Sequence, residues 1–169
     1  MHRARRVAAQ RRAKTLAMAI GEICSREVVF IARSESCAQA ARLMRENHVG
    51  SLVVVAKTGA PVMPIGMITD RDLAVGVMAL GLDPEKTLVE AVMRPRIALL
   101  RETEGLGRAI ALMRAEGVRR LPVVDADGNL VGVLAADDLI ELFADELSGL
   151  SAMIGKSARI ERAERRAAT

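Results

Sequence analysis

Gln39-Ala40-Ala41-Arg42-Leu43-Met44-Arg45-Glu46 stands 69 positions ahead of Arg108-Ala109-Ile110-Ala111-Leu112-Met113-Arg114-Ala115, and the two octets share their apolar spacing. The likeness continues downstream. Leu52-Val53-Val54-Val55 answers Leu121-Pro122-Val123-Val124 at the same offset. After a three-residue insertion, Gly66-Met67-Ile68-Thr69-Asp70-Arg71-Asp72-Leu73 answers Gly132-Val133-Leu134-Ala135-Ala136-Asp137-Asp138-Leu139. Agreement over several elements in one order is the mark of a duplicated supersecondary unit.

Within each half the pattern predicts a helix and then a strand. Ala40, Leu43 and Met44, or Ile110, Leu112 and Met113, recur at helical spacing, and a β-branched run of strand length follows. In the second half Asp125-Ala126-Asp127-Gly128-Asn129 is a turn signal, because Gly and Asn tolerate positive φ, and it feeds a strand over residues 130–134. It is not a calcium loop: counted from Asp125, the glycine and carboxylate places six and twelve hold Leu130 and Ala136. The first half has a longer, proline-bounded loop over residues 57–64 instead. Each unit then ends in a second helix. Residues 73–82 carry no charge, so that helix is apolar on both faces and needs cover, for which self-association is the simplest source and a central place in the monomer core the alternative. Its counterpart over 139–147 keeps a polar stripe beside four large apolar residues. Neither half buries these faces alone, so the pair is one folding unit. The expected fold class is α+β: two tandem β-α-β-type repeats packed through their sheets, with basic helical extensions at both ends. The expected boundaries are a basic N-terminal extension over 1–15, repeats over 16–84 and 85–148, and a basic helical tail over 149–169.

Composition agrees with a folded, water-soluble module. Hydrophobic residues make up 51% of the 169 and charged residues 27%. The apolar runs at 16–20 and 52–56 are far shorter than the ~20 residues of a membrane span. No secretory apolar stretch follows the basic start, and a cytoplasmic location is expected; the Arg-rich, acid-free start also has features of an organelle transit peptide, without its serines. Residues 1–20 hold six basic side chains and no acid, and residues 155–169 hold five against two, so the stretch between carries −5 although the chain as a whole is +4. The ends read as solvated extensions or as arms for a polyanion. Cys24 and Cys37 have no histidine nearby, and neither a zinc site nor a disulfide framework is expected. Aromatic residues are 1% of the chain, which leaves little stacking chemistry.

The doubled Ala-x-x-x-Met helix, the Leu121-Pro122-Val123-Val124-Asp125 strand and the segment from Gly66 through Thr69 to Asp72 resemble a tandem pair of CBS domains, the Bateman module. The resemblance covers residues 16–148 and is strongest to small stand-alone bacterial proteins of that family over 66–84. It implies two units packed through their sheets, a dimer of disc shape, and clefts that take AMP, ADP, ATP, S-adenosylmethionine or a related adenosyl ligand.

Thr69 opens a helix directly after a strand, where unpaired backbone N–H groups and partial positive charge suit a phosphate. Asp72 is placed to accept both hydroxyls of a ribose, as carboxylates do in dinucleotide folds. In the family the threonine and aspartate of this motif contact ribose and phosphate. The same two residues also read as a helix cap that needs no ligand. In the second repeat Ala135 replaces the hydroxyl residue while Asp138 is kept, so the cleft built on Asp138 is expected to be the weaker one. Arg119 and Arg120 lie near the cleft in family geometry and suit a phosphate; Gly50 and Ser51 fill their places in the first repeat, and Arg71 is a further cation. His48 reads as a residue at the end of the first helix.

No Cys-His pair, Ser-His-Asp set, phosphate-cradling Gly-rich loop or histidine-carboxylate cluster has persuasive spacing, so a non-catalytic chain without a catalytic cofactor or metal is expected. Gly105-Leu106-Gly107 reads as a turn into a helix. Three functions compete: a sensor that binds an adenosyl nucleotide and signals to a separate, unidentified protein; a dimeric adaptor with lapsed clefts; and salt-sensitive nucleic-acid association through the basic ends.

Overall fold

The computed structural model describes residues 18–57, 59 and 61–167, with side chains omitted for 158–161 and 163–167. The basic extension over 1–15 lies outside the described residues. The chain divides into a body up to Leu134 and a C-terminal unit from Ala135 onward.

In the body, strand β1 (Phe30–Ala32), helix α1 (Cys37–Glu46) and strand β2 (Ser51–Val55) form a crossover, with β1 and β2 parallel. Strand β3 (Pro64–Thr69) returns antiparallel to β2, and the short β4 (Arg94–Pro95) pairs with β3, for a sheet order β1-β2-β3-β4. The second half repeats this: β5 (Leu100–Arg101), α4 (Leu106–Glu116), β6 (Arg120–Val124) and β7 (Leu130–Ala135) give a sheet of order β5-β6-β7, with β5 and β6 parallel. The apolar runs sit in the central strands, each with four consecutive buried residues. Such strands are covered on both faces, which is why they do not alternate.

The two halves exchange segments. Residues 19–25, at the start of the first repeat, bond to the second: Ile20 and Gly21 donate N–H bonds to Glu104 O and Glu102 O at 2.9 and 2.8 Å, and Ser25 and Val133 exchange bonds at 3.0 and 2.9 Å. Residues 88–95, at the start of the second repeat, do the same to the first: Val89 and Glu90 donate to Glu35 O and Arg33 O at 2.9 and 3.0 Å. Val89, in the short helix α3 (Val89–Val92), joins the first core with Ile31, Ala40, Met44, Leu52, Val54 and Ile68. Its equivalent Ile20 is fully buried. Both exchanges pass over a glycine. A Cβ on Gly66 would stand 2.8 Å from Arg94 O and Met93 Sδ, and one on Gly132 would stand 2.6 Å from Cys24 Sγ and 2.9 Å from Ser25 O.

The helix expected over 73–82 is shorter and less regular. Helix α2 (Asp70–Leu73) widens into a π-helical stretch, Ala74–Met78, and ends there, with Gly81 at φ +65°. A Cβ on Gly76 would meet Val92 Cγ1 at 2.7 Å, so the bare backbone lets α3 approach. Val77 is buried, whereas Val75, Met78, Leu80 and Leu82 are exposed. Asp125 organises the loop before β7. Its Oδ1 accepts from Asp127 N and Asn129 N at 2.9 and 2.8 Å, and Asn129 Nδ2 donates to Oδ2 at 2.9 Å. The Asn129 side-chain bond, then its backbone bond, hold this carboxyl below the usual carboxylate range. The turn is therefore supported above the ordinary value and loses that support as pH falls through the lowered one.

His48 adopts φ +53° just after α1, where the second half has Gly117 at φ +63°. A left-handed conformation is costly for a residue with a Cβ. Exchanging His48→Gly is expected to stabilise the fold by about 0.5–1 kcal/mol, read as a raised urea midpoint; a lowered midpoint would mean that the histidine side chain contributes more than its backbone costs.

In the C-terminal unit a single helix, α5 (Ala136–Ala167), runs for 32 residues through the junction expected between repeat and tail. Among the described residues no helix is long and apolar enough to cross a membrane.

Candidate functional site

The ends of β2 and β3 bring the first group of candidates together, because the antiparallel register sets Ser51 opposite Thr69. Thr69 ends β3 and caps α2 in a closed box. Asp72 N–H donates to Thr69 Oγ1 at 3.1 Å, Thr69 N–H donates to Asp72 Oδ2 at 2.9 Å, and Thr69 Oγ1 donates to the same oxygen at 2.7 Å. The capping arrangement is thus formed. Asp72 Oδ1 faces Arg94 Nε at 3.7 Å. Next to the cap, Asp70 N–H donates to Gly50 O at 3.1 Å, tying the loop before β2 to the start of α2.

These residues form one wall of an open cavity of about 530 Å³, within the range of small-molecule sites. Ser51, Thr69, Asp70 and Arg71 line it from the first half, and Arg119 and Arg120 from the second. Arg94 and Arg96 complete the polar lining, with Glu116 as the other acid. Met67, Ile97, Ala98, Val118, Leu121 and Pro122 supply an apolar part. The guanidinium groups of Arg71, Arg96, Arg119 and Arg120 make no ion pair among the described residues, whereas Arg26, Arg33, Arg42 and Arg108 are each paired with a glutamate. Five cations against two carboxylates leave this cavity positive, which favours an anion.

Five of the seven residues singled out in the sequence therefore share one cavity: Ser51, Thr69, Arg71, Arg119 and Arg120. Asp72 is not among the lining residues and stands behind Thr69 in the cap. Asp138 lines neither this cavity nor a second one of about 80 Å³ beside Val29, Val53 and Val133. Its Oδ2 accepts from Ala135 N at 2.9 Å, which is half of a capping box, since alanine has no hydroxyl to accept in return. Restoring it as Ala135→Thr is expected to stabilise the start of α5 by about 1 kcal/mol, measured as a raised melting temperature; no gain would mean that the threonine does not cap.

Arg94 and Arg96 were missed in the sequence. The available signal was the 69-residue offset, which makes Met93-Arg94-Pro95 the partner of Cys24-Ser25-Arg26. Arg96 also stands at φ +58°, and a non-glycine residue in that region next to a cavity is a recognised pointer to function. Cys24 and Cys37 are both buried, and burial pushes the Cys37 thiol up.

The described residues thus form a duplicated αβ module with exchanged edge segments and a cationic cavity lined from both halves. The chain belongs to the CBS domain family, whose model matches residues 20–78 and 89–145. It is similar to an uncharacterized protein of Methanopyrus kandleri, 32% identical over 74% of this chain and 62% of that one. A CBS domain-containing protein of Bacillus subtilis is 34% identical over 73% of this chain and 84% of its own length. Among solved structures, a CBS domain protein of Pyrobaculum aerophilum complexed with AMP superposes with a TM-score of 0.64 at 26% identity, covering 72% of this chain and 89% of that one.

Proposed function

We propose that the chain is a non-catalytic regulatory module that binds an adenosine nucleotide in the cavity beside Thr69 and passes the bound state to a separate protein. The observation that carries the reading is the convergence of four guanidiniums, from Arg71, Arg96, Arg119 and Arg120, none in an ion pair among the described residues, on a cavity that also has an apolar part. Phosphates fit the cations, and a base fits the apolar lining without needing an aromatic platform. The AMP bound by the Pyrobaculum relative supports the ligand class. The charge further favours ATP or ADP over AMP, and disfavours S-adenosylmethionine, whose sulfonium and ammonium groups are cationic. In this reading Thr69 turns its hydroxyl to a phosphate or ribose, Ser51 lies beside it, and Asp72 accepts ribose hydroxyls once the cap loosens. The Asp138 side contributes little.

Asp72→Ala tests the assignment. It is expected to weaken ATP binding at least tenfold, about 1.4 kcal/mol, and also to cost about 1 kcal/mol of stability through the lost cap. A stability loss with unchanged affinity would remove Asp72 from the site and leave it as a cap. Self-association through Val75, Met78, Leu80 and Leu82, which are exposed, accompanies the proposal as the source of a homodimer. The same exposed residues favour a second reading, a dimeric adaptor whose clefts have lapsed.

A further inference from the structure

The small cavity beside Val53 has a lining that nucleotide binding does not use. It holds about 80 Å³, against about 530 Å³ for the cavity beside Thr69, and is too small to enclose a nucleotide. Its charge does not suit a phosphate chain either. At the 69-residue offset Glu27 stands where the second half has Arg96, and Gly50 and Ser51 stand where it has Arg119 and Arg120. Arg96 and Arg119 line the large cavity alone, whereas Glu27 lines the small one alone. Duplication has left two clefts of different chemistry.

Five valines and Met67 make up six of the nine residues around the small cavity, and the other three are Glu27, Ser51 and Arg120. Val53 and Met67 come from β2 and β3 of one sheet, and Val133 from β7 of the other. Among the described residues the side chains of Glu27, Ser51 and Arg120 make no ion pair or hydrogen bond, with one another or with a third group. An apolar wall with one acid, one base and one hydroxyl, none of them engaged, matches a compact ligand that has an apolar body and both charges. We propose that this cavity binds a free α-amino acid with a short aliphatic side chain: its ammonium group on Glu27, its carboxylate on Arg120 and Ser51, its alkyl group among the valines. A simple amine or a simple carboxylic acid leaves one of the two charged side chains unanswered and binds less well. Ser51, Met67 and Arg120 line both cavities. Where a nucleotide fills the larger one as proposed above, an amino acid that holds Arg120 withdraws it from the phosphates, and the two ligands oppose each other by the same factor in both directions. The amino-acid site itself does not rest on that reading.

Met67 reports on the site. The full chain, carrying 13C in its methionine methyl groups and with the Met67 signal assigned through Met67→Leu, is titrated with L-valine. The expected result is a saturable shift of that signal. Isobutylamine and isovalerate, which each keep one of the two charges, and L-phenylalanine, which outgrows the cavity, are expected to bind at least tenfold more weakly. Glu27→Gln is expected to weaken L-valine at least tenfold and to leave the affinity for ATP, whose cavity Glu27 does not line, within twofold. Saturating L-valine is expected to weaken ATP at least threefold in the parent chain and not in Glu27→Gln. No saturable shift, any of the three analogues binding as tightly as L-valine, or unchanged L-valine affinity in Glu27→Gln would each overturn the proposal, as would a second ATP per chain that displaces L-valine. L-valine bound by a chain that takes no ATP would uphold the amino-acid site and count against the nucleotide reading alone. ATP affinity indifferent to bound L-valine would overturn the shared use of Arg120.

Discussion

Gly132→Val is expected to destabilise the fold by about 3 kcal/mol or more, a large share of the 5–15 kcal/mol that holds a typical domain together. The reason is the close crossing of residues 24 and 25 over β7. A Cβ at 132 would lie 2.6 Å from Cys24 Sγ and 2.9 Å from the Ser25 carbonyl oxygen. That carbonyl cannot retreat without breaking the paired bonds between Ser25 and Val133 at 3.0 and 2.9 Å. Overpacking alone costs ~1–3 kcal/mol, and loss of the bridge adds to it. Urea unfolding followed by circular dichroism reads the effect directly. Cys24→Ala in the same chain relieves the sulfur contact but not the carbonyl, so it is expected to recover only part of the loss. A Gly132→Val chain as stable as the parent would mean that the exchanged segment is not held against β7. Gly107, with open space where its Cβ would stand, is the control, and Gly107→Ala is expected to stabilise α4 by about 0.5–1 kcal/mol.

Replacing both Arg119→Ala and Arg120→Ala is expected to weaken ATP binding on the order of a hundredfold, about 2.7 kcal/mol. Each of the two residues lines the cavity with its guanidinium in no ion pair among the described residues, and a charge-assisted bond to phosphate is worth ~1.5–3 kcal/mol, less where water screens it. The loss should follow phosphate count: largest for ATP, smaller for AMP, and close to none for adenosine. It should also shrink as salt is raised. An equal loss for adenosine and ATP would assign the arginines to the shape of the site rather than to its charge, and no loss would place the ligand elsewhere.

The duplication, the central strands and the order of elements were legible because each rests on a local pattern that repeats. Leu52-Val53-Val54-Val55 is too apolar to be anything but a covered strand, and its echo at 121–124 fixes the second copy. The exchange of residues 19–25 and 88–95 was not legible from periodicity, since these segments hold only elements of two to four residues and single bridges. Their identity lies in long-range backbone bonds, and only Gly66 and Gly132, at equivalent places in the two halves, hint at a close crossing. Thr69 and Asp72 illustrate a different limit. One spacing served a cap and a ligand site equally, and the structure contains the cap, with Asp72 turned to Thr69. Arg94 and Arg96 reach the cavity through the same exchange, so missing the one meant missing the other. The π-helical widening at Ala74–Met78 lies where Val92 closes on Gly76, and no pattern within residues 73–82 records either.

Isothermal titration calorimetry of the full chain, freed of bound nucleotide, against ATP, ADP, AMP and S-adenosylmethionine, with GTP to test the base, bears most directly on the proposed function. The expected result is micromolar binding of an adenosine nucleotide at about one site per chain, tightest for the ligands richest in phosphate and weak or absent for S-adenosylmethionine. No heat from any adenosine nucleotide would contradict it and leave the fold as an adaptor.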